Sequence, residues 1–131
     1  MVQIKRAYES ASPRDGYRVL VERLWPRGVR KTDLRLDAWL KYVGPSAELR
    51  RWFGHDPERF SEFAARYRGE LRKGPAAEAL AGLVRRASED ALTLVYAARD
   101  EAHNGAVVLR DIIDGALARQ SHHEEHPRQE A

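Results

Sequence analysis

The chain has 131 residues, of which 43% are hydrophobic and 33% are charged, so one globular domain is expected and a disordered protein is excluded. It contains no cysteine, which excludes a disulfide framework, a thiolate nucleophile and a cysteine-ligated zinc site. The amino-terminal segment lacks the apolar stretch of a signal peptide, and no window is apolar enough to span a bilayer. We therefore expect a cytoplasmic protein.

The net charge of +3 is distributed unevenly along the sequence. Through Arg35 there are nine Lys or Arg residues against four Asp or Glu, a net charge of +5, which leaves −2 for the remainder. A basic amino-terminal third favours an anionic partner.

The first half of the chain predicts short strands separated by turns. Residues 3–9 are predicted to form a strand, and residues 10–16, with Pro13 and Asp15-Gly16, form a turn. Residues 17–25 predict a second strand that is apolar on both faces and ends at Pro26. Residues 38–43 predict a third strand, although their apolar pattern also suits a helix.

The second half predicts helices and one buried strand. A short helix is expected at 48–53, and Asp56 as N-cap with Pro57 starts a helix that runs to Leu71 before Gly74-Pro75. Another helix is predicted at 76–88. Residues 91–98 are a continuous apolar run, typical of a central strand, and a closing amphipathic helix begins near Asn104.

This pattern predicts a small three-layer α/β fold with a mostly parallel sheet of about four strands flanked by helices. The single domain is expected to cover residues 1–118, and residues 119–131, whose stretch 121–127 lacks apolar residues, are predicted to be a disordered tail. The histidines of that tail indicate only incidental metal affinity. No metal site is predicted, and the sequence does not identify a cofactor.

Ligands of open parallel sheets bind beyond the carboxyl ends of the strands, which selects two turns. In the first turn, Arg23 and Arg27 offer planar donor groups for phosphate or carboxylate, and Gly28 allows close backbone approach. The non-functional alternative is that both arginines only pair with Glu22, Asp33 or Asp37 at the surface.

The second turn, after the predicted strand 91–98, adds Arg99 and a helix amino terminus near Asn104. There His103 is a candidate acid–base residue that Asp100 would orient. Asp100 or Asn104 as a simple helix cap is an equal alternative. His55, in a loop after two aromatic residues, is a third candidate catalytic residue.

The sequence matches no P-loop, glycine-rich dinucleotide turn, nucleophile elbow or zinc-protease helix. However, residues 15–28, DGYRVLVERLWPRG, resemble the YeaO-like branch of a large bacterial superfamily, domain of unknown function 488. The stretches LDAWL, PSAELRRWF, LVYAARD and HNGAVVL, at 36–40, 45–53, 94–100 and 103–109, extend the resemblance to about Leu117.

This resemblance implies a compact three-layer α/β fold and brings no activity, cofactor or partner with it. Members of the superfamily are similar in carrying an arginine-bearing turn after the second strand and a polar segment, often with Cys and His, after the last apolar strand. This chain has no Cys there, and Gly105 stands where relatives often have a polar side chain. Chemistry that depends on those groups is therefore not expected.

Our leading hypothesis is a domain that binds or acts on a phosphorylated or nucleotide-like anion through an arginine-rich pocket. The competing hypotheses are a nucleic-acid-binding module and an interaction domain without chemistry. The nucleic-acid hypothesis uses basic residues of the amino-terminal third, namely Arg14, Arg18, Arg30, Lys31 and Arg35.

Overall fold

A computed structural model describes residues 1–125, and its centre is a sheet of four parallel strands. The strands are β1 (Val2–Arg6), β2 (Tyr17–Leu20), β3 (Ala38–Trp39) and β4 (Leu92–Tyr96), in the spatial order β1-β4-β2-β3. β4 pairs in parallel with β1 on one side and with β2 on the other. The carboxyl ends of all four strands consequently lie at one edge of the sheet.

Helices cover one face of the sheet, and a shorter segment covers the other. The helices are α1 (Lys31–Leu34), α2 (Ala47–Phe53), α3 (Phe60–Glu70), α4 (Gly74–Glu89) and α5 (Gly105–Glu125). Because side chains alternate along a strand, Leu94 of β4 enters the large core formed with α2 to α5. Its neighbour Val95 packs on the opposite face with Leu34, Trp25 and Trp39. The predicted small three-layer α/β fold is confirmed.

All five residues of β4 are buried, as the apolar run 91–98 predicts for a central strand. β2 is shorter than predicted and ends at Leu20 rather than Trp25. Val21 makes the last ladder hydrogen bond, to Val95 O. Side chains then replace strand pairing, since Trp39 Nε1 donates to Glu22 O at 2.6 Å.

The other two strands also end early. β1 stops at Arg6 instead of Glu9, where a turn closes through a hydrogen bond from Glu9 N to Arg6 O. β3 spans only two residues, and a 3-10 turn at Lys41–Val43 replaces the rest of the strand predicted at 38–43. The buried Gly44-Pro45 then leads into α2.

Helix ends follow their capping residues closely. Asp56 accepts a hydrogen bond from Glu58 N at 3.0 Å and, with Pro57, starts the 3-10 turn that precedes α3, as predicted. α4 begins at Gly74, earlier than the predicted residue 76, because Pro75 suits the first turn of a helix. α5 continues to Glu125, past the position where the tail was predicted to become disordered, since neither glycine nor proline interrupts 116–125. Residues 126–131, the rest of that tail, lie outside the described residues.

A buried ion pair ties the turn before β2 to the sheet. Arg18 Nη1 lies 2.6 Å from Asp15 Oδ2, with the two side chains only 5% and 3% exposed. Lys5 Nζ contacts the other carboxylate oxygen at 3.1 Å, and Arg18 also donates to Leu34 O. Arg18 is therefore a structural residue, and its predicted availability to nucleic-acid phosphates is wrong because its guanidinium is enclosed.

Candidate functional site

A cleft of about 900 Å³ opens at the carboxyl edge of the sheet. Its walls come from the segment after β2, from α2 with the loops on either side of it, and from the segment between β4 and α5. Tyr8, which follows β1, and Phe63 of α3 complete it. The cleft thus lies where the rule for open parallel sheets expects a ligand.

The structure brings together residues from both predicted turns and from the His55 loop. Arg27 from the first turn and Arg99, Asp100 and Asn104 from the second turn line the same cleft, and so does His55. Arg27 and Asn104 are 77 positions apart in the sequence. They line one cavity because β2 and β4 are neighbours in the sheet.

The remaining predicted residues, Arg23, Gly28 and His103, are not part of the cleft wall. Arg23 instead donates from Nε to Gly44 O at 3.1 Å and so fixes the loop before α2. Gly28 adopts a left-handed φ of 79°, which glycine tolerates without strain, at the exposed tip of its turn.

Arg23 and Arg27 do not pair with the acidic residues that were considered as surface partners. Among residues 1–125, Asp33 pairs with Arg30, and Asp37 accepts a hydrogen bond from the backbone of Arg18. Arg27 is exposed, and within the described residues its side chain forms no salt bridge. Its guanidinium is therefore available at the cleft.

Glu22 is a cleft residue that sequence reasoning considered only as a surface partner of the arginines. Its Oε1 accepts a hydrogen bond from Ala97 N at 3.1 Å, which links the ends of β2 and β4. Burial raises the pKa of Glu22, while the hydrogen bond from Ala97 and the charges of Arg50 and His55 oppose that rise only in part. The sequence signal that could have identified Glu22 as a site residue is its position at the end of a buried strand.

α2 adds Arg50 and Arg51, which sequence reasoning also missed as site residues. Ser46 starts this helix by accepting a hydrogen bond from Leu49 N at 3.1 Å, and Leu49 and Phe53 anchor its buried face. Arg50 Nε is buried and has no hydrogen-bond partner among the described residues. The only sequence signal for these two arginines was their place in PSAELRRWF, a stretch that resembles the YeaO-like branch. That resemblance did not indicate in which direction their side chains point.

His55 enters the cleft from an unusual backbone conformation. It has a left-handed φ of 58°, next to Gly54 with a φ of 54°. Left-handed conformations outside glycine cost free energy and occur more often at functional sites. Phe53 packs beside its ring, with centroids 6.2 Å apart.

The loop between β4 and α5 is organised by its own side chains. Asp100 accepts hydrogen bonds from Ala102 N and His103 N and contacts His103 Nδ1 at 2.9 Å. The bond from Ala102, then the one from the His103 ring, lower the pKa of Asp100. Asn104 is the cap of α5, since its Oδ1 accepts from Val107 N at 3.0 Å.

His103 packs edge-on against Phe60, with ring centroids 5.2 Å apart, and is not among the residues that line the cleft. The Asp100–His103 hydrogen bond predicted from the sequence is present, and it joins Asp100, which lines the cleft, to a histidine that does not. His55 is consequently the histidine that borders the cavity.

The cleft combines positive charge with apolar walls. Its lining contains four guanidinium groups, those of Arg27, Arg50, Arg51 and Arg99, against the two carboxylates of Glu22 and Asp100. Aromatic side chains line the rest, including Trp25 and the stacked pair of Phe53 and Phe63, whose centroids are 4.3 Å apart. The positive end of α5 opens at the same place, with Gly105 in the wall.

The described residues contain neither a clustered set of metal ligands nor a helix that could span a membrane. Within residues 1–125, no group of three or more histidine and acidic side chains is arranged to hold a metal ion. None of the helices in that part of the chain combines the length and apolar character needed to cross a bilayer.

Comparison with known proteins identifies relatives over nearly the whole chain. A family model described as "Inactive DUF488-N3 subclade" matches residues 1–130. The uncharacterized protein Rv3073c of Mycobacterium tuberculosis is 46% identical over 114 residues, covering 87% of this chain and 94% of the relative. The uncharacterized protein YeaO of Escherichia coli K12 is 43% identical over 111 residues, covering 84% and 94%. No solved structure matches the chain. The resemblance drawn from residues 15–28 is thus confirmed, and the chain belongs to the YeaO-like branch of the DUF488 family.

Proposed function

We propose that this protein binds a small phosphorylated or nucleotide-like anion in the cleft at the carboxyl edge of its sheet. One observation carries the proposal: four arginines from three separate segments line one cavity whose only acidic wall residues, among residues 1–125, are Glu22 and Asp100. Guanidinium groups present paired donors that match the oxygen atoms of phosphate. An anion at this position is therefore favoured by both charge and geometry.

The burial of Arg50 strengthens the case for a ligand. A buried donor without a partner costs about 1–3 kcal/mol, and Arg50 Nε is such a donor within the described residues. Because Nε itself is enclosed, a bound oxyanion would pair with the charge of Arg50 through the other nitrogens of its guanidinium. The amino terminus of α5 supports the same charge preference, because its first backbone N–H groups point out of the helix.

The aromatic wall favours an organic phosphate over a simple ion. Trp25, Phe53 and Phe63 offer flat apolar surface in the same cavity as the arginines. Ligand sites commonly combine such apolar walls with a few convergent polar groups. A nucleotide has both an apolar ring and a phosphate, so it matches both parts of the cleft.

Binding is a better description than catalysis for this chain. The predicted acid–base residue His103 packs on Phe60 rather than in the cleft wall, and the sequence contains no cysteine. The matching family model is itself described as an inactive subclade. These observations support a protein that retains a ligand site without a complete catalytic set.

The proposal is tested by thermal unfolding in the presence of inorganic phosphate and of AMP, each at 10 mM. A ligand at a hundred times its Kd adds about 2.7 kcal/mol to stability, which is a readily measured shift in Tm. Arg27→Ala and Arg99→Ala should each reduce or abolish the shift, because both residues are exposed and line the cleft. Arg72→Ala, at an exposed arginine outside the cleft, is the matched control and should retain it.

Absence of any shift in the wild-type protein with either compound would contradict the proposal. A Tm shift that persists in Arg27→Ala and Arg99→Ala would show that the ligand binds outside the cleft. Binding of nucleic acid that weakens steeply with salt and depends on Arg14, Arg30, Lys31 and Arg35 would favour the nucleic-acid alternative instead.

A further inference from the structure

Glu22 is a carboxylate in the wall of a cleft that is otherwise rich in arginine. One of its oxygens, Oε1, accepts from Ala97 N, and its other oxygen has no hydrogen-bond partner among residues 1–125. Arg50 is close enough to influence Glu22 electrostatically, yet the two side chains form no ion pair. The cleft wall therefore contains an acceptor with unused hydrogen-bonding capacity beside a positively charged arginine.

The position of Glu22 is held from two directions. Ala97 N fixes its carboxylate at 3.1 Å, and Trp39 Nε1 fixes its backbone carbonyl at 2.6 Å. Trp39 is itself packed against Trp25, whose ring lines the cleft. A group that is held in this way is preorganised for recognition, because it loses little freedom when a ligand binds.

A free carboxylate beside bound phosphate is unfavourable unless the ligand compensates for it. The two negative charges repel each other, so Glu22 weakens the binding of a bare oxyanion. A ligand that also carries a hydroxyl group turns the same carboxylate into a favourable acceptor. Carboxylates that accept from ribose hydroxyls are a common solution to this problem in nucleotide sites.

We infer that Glu22 accepts a hydrogen bond from a sugar hydroxyl of the ligand, so that the cleft selects a hydroxylated phosphate ester over inorganic phosphate. This inference rests on the proposed function and specifies the ligand class of the same site. The arginines supply affinity for the phosphate, and Glu22 supplies the discrimination. The unused oxygen of Glu22 is the acceptor that this discrimination requires.

Glu22→Gln is the informative substitution because it retains the local structure. Its amide oxygen can still accept from Ala97 N, which turns the amide NH₂ toward the cleft in place of the free carboxylate oxygen. The variant therefore removes the negative charge and presents a donor to a ligand hydroxyl. Glu48→Gln, at an exposed residue of α2 outside the cleft, is the matched control for the loss of one carboxylate.

The experiment measures Kd by calorimetry at pH 7.5 for inorganic phosphate, AMP and 2′,3′-dideoxy-AMP. Wild-type protein and Glu48→Gln should bind AMP about tenfold or more tightly than the dideoxy compound, the usual effect of a hydrogen bond to a charged group. Glu22→Gln should reduce this preference for AMP over the dideoxy compound by a similar factor. It should leave the binding of phosphate and dideoxy-AMP unchanged or make it tighter, because the repulsion is gone.

Loss of the preference for AMP while phosphate binding is retained distinguishes recognition from a structural role, which would weaken the binding of all three compounds together. A parallel loss in Glu22→Gln, or equal wild-type affinity for AMP and dideoxy-AMP, overturns the inference while phosphate binding still supports the proposed function. Failure of every phosphate to bind the wild-type protein overturns both. The wild-type comparison of AMP with dideoxy-AMP needs no variant, so it decides the question even if Glu22→Gln does not fold.

Discussion

Replacing Asp15 by asparagine should destabilise the protein strongly, although the two side chains have nearly the same shape. Asp15 accepts hydrogen bonds from Lys5, Arg18 and the backbone of Ser12. The substitution leaves the guanidinium of Arg18, only 5% exposed, without its anionic partner. Removing one partner of a buried ion pair costs about 3–5 kcal/mol, because the other charge remains buried.

The cost should appear as a fall in Tm. The unfolding entropy of a chain of 131 residues makes 1 kcal/mol equivalent to roughly 4 °C. The loss of 3–5 kcal/mol therefore predicts a fall of about 10–20 °C, measured by calorimetry or by urea unfolding at pH 7. Asp33→Asn is the matched control, because the Arg30–Asp33 pair is 85% and 61% exposed and should contribute less than about 1 kcal/mol.

The effect should also depend on pH. Burial raises the pKa of Asp15, but the hydrogen bonds from Ser12, Lys5 and Arg18 outweigh it and lower the pKa below the ordinary value of 3.8. The stability that Asp15 contributes is thus complete above pH 3.8 and is lost as the pH falls through the lowered native pKa. A loss below about 1 kcal/mol in Asp15→Asn, or a difference that grows in acid, would refute this account of the ion pair.

Two further predictions concern stability. Burial raises the pKa of Glu22 above 4.5, so its ionised form costs stability once the pH rises through the native pKa. Urea unfolding of Glu22→Gln should therefore show a more stable protein than wild type at pH 7.5, with the difference vanishing below pH 4.5, and equal stability at pH 7.5 would contradict it. Gly16→Ala should lose roughly 3 kcal/mol, since its Cβ would lie 2.4 Å from Ala91 O at a φ of +63°. Gly28→Ala, where φ is +79° but no atom lies within 4 Å, should lose only about 1 kcal/mol; similar losses at the two sites would argue against the steric explanation.

Local residue patterns predicted the elements whose burial or capping follows from the residues of the element itself. The apolar run 91–98 predicted β4, and Asp56 with Pro57 predicted the turn that starts α3. The rule that ligands bind at the carboxyl edge of parallel strands selected both turns that line the cleft. Element lengths were less accurate, since β2 ends where the side chains of Trp39 and Glu22 take over its hydrogen bonding.

The direction of individual charged side chains was not predictable in the same way. Arg18 and Arg27 both lie in the basic amino-terminal third, yet one is enclosed by Asp15 and Leu34 while the other is exposed at the cleft. His103 and His55 both neighbour turns, and only His55 borders the cavity. Such differences depend on partners that lie far away in sequence.

The sequence by itself determined the three-layer fold, the membership of the DUF488 family and the edge of the sheet at which a ligand site is expected. These follow from hydrophobic periodicity, turn residues and motif identity, which are local properties. Only the tertiary structure decided that α2 delivers Arg50 and Arg51 to the same cleft as Arg27 and Arg99, and that Glu22 remains among them as a carboxylate with a free oxygen. The pairing of β2 with β4 brings these segments together, and no local pattern encodes which side chains then meet across the gap.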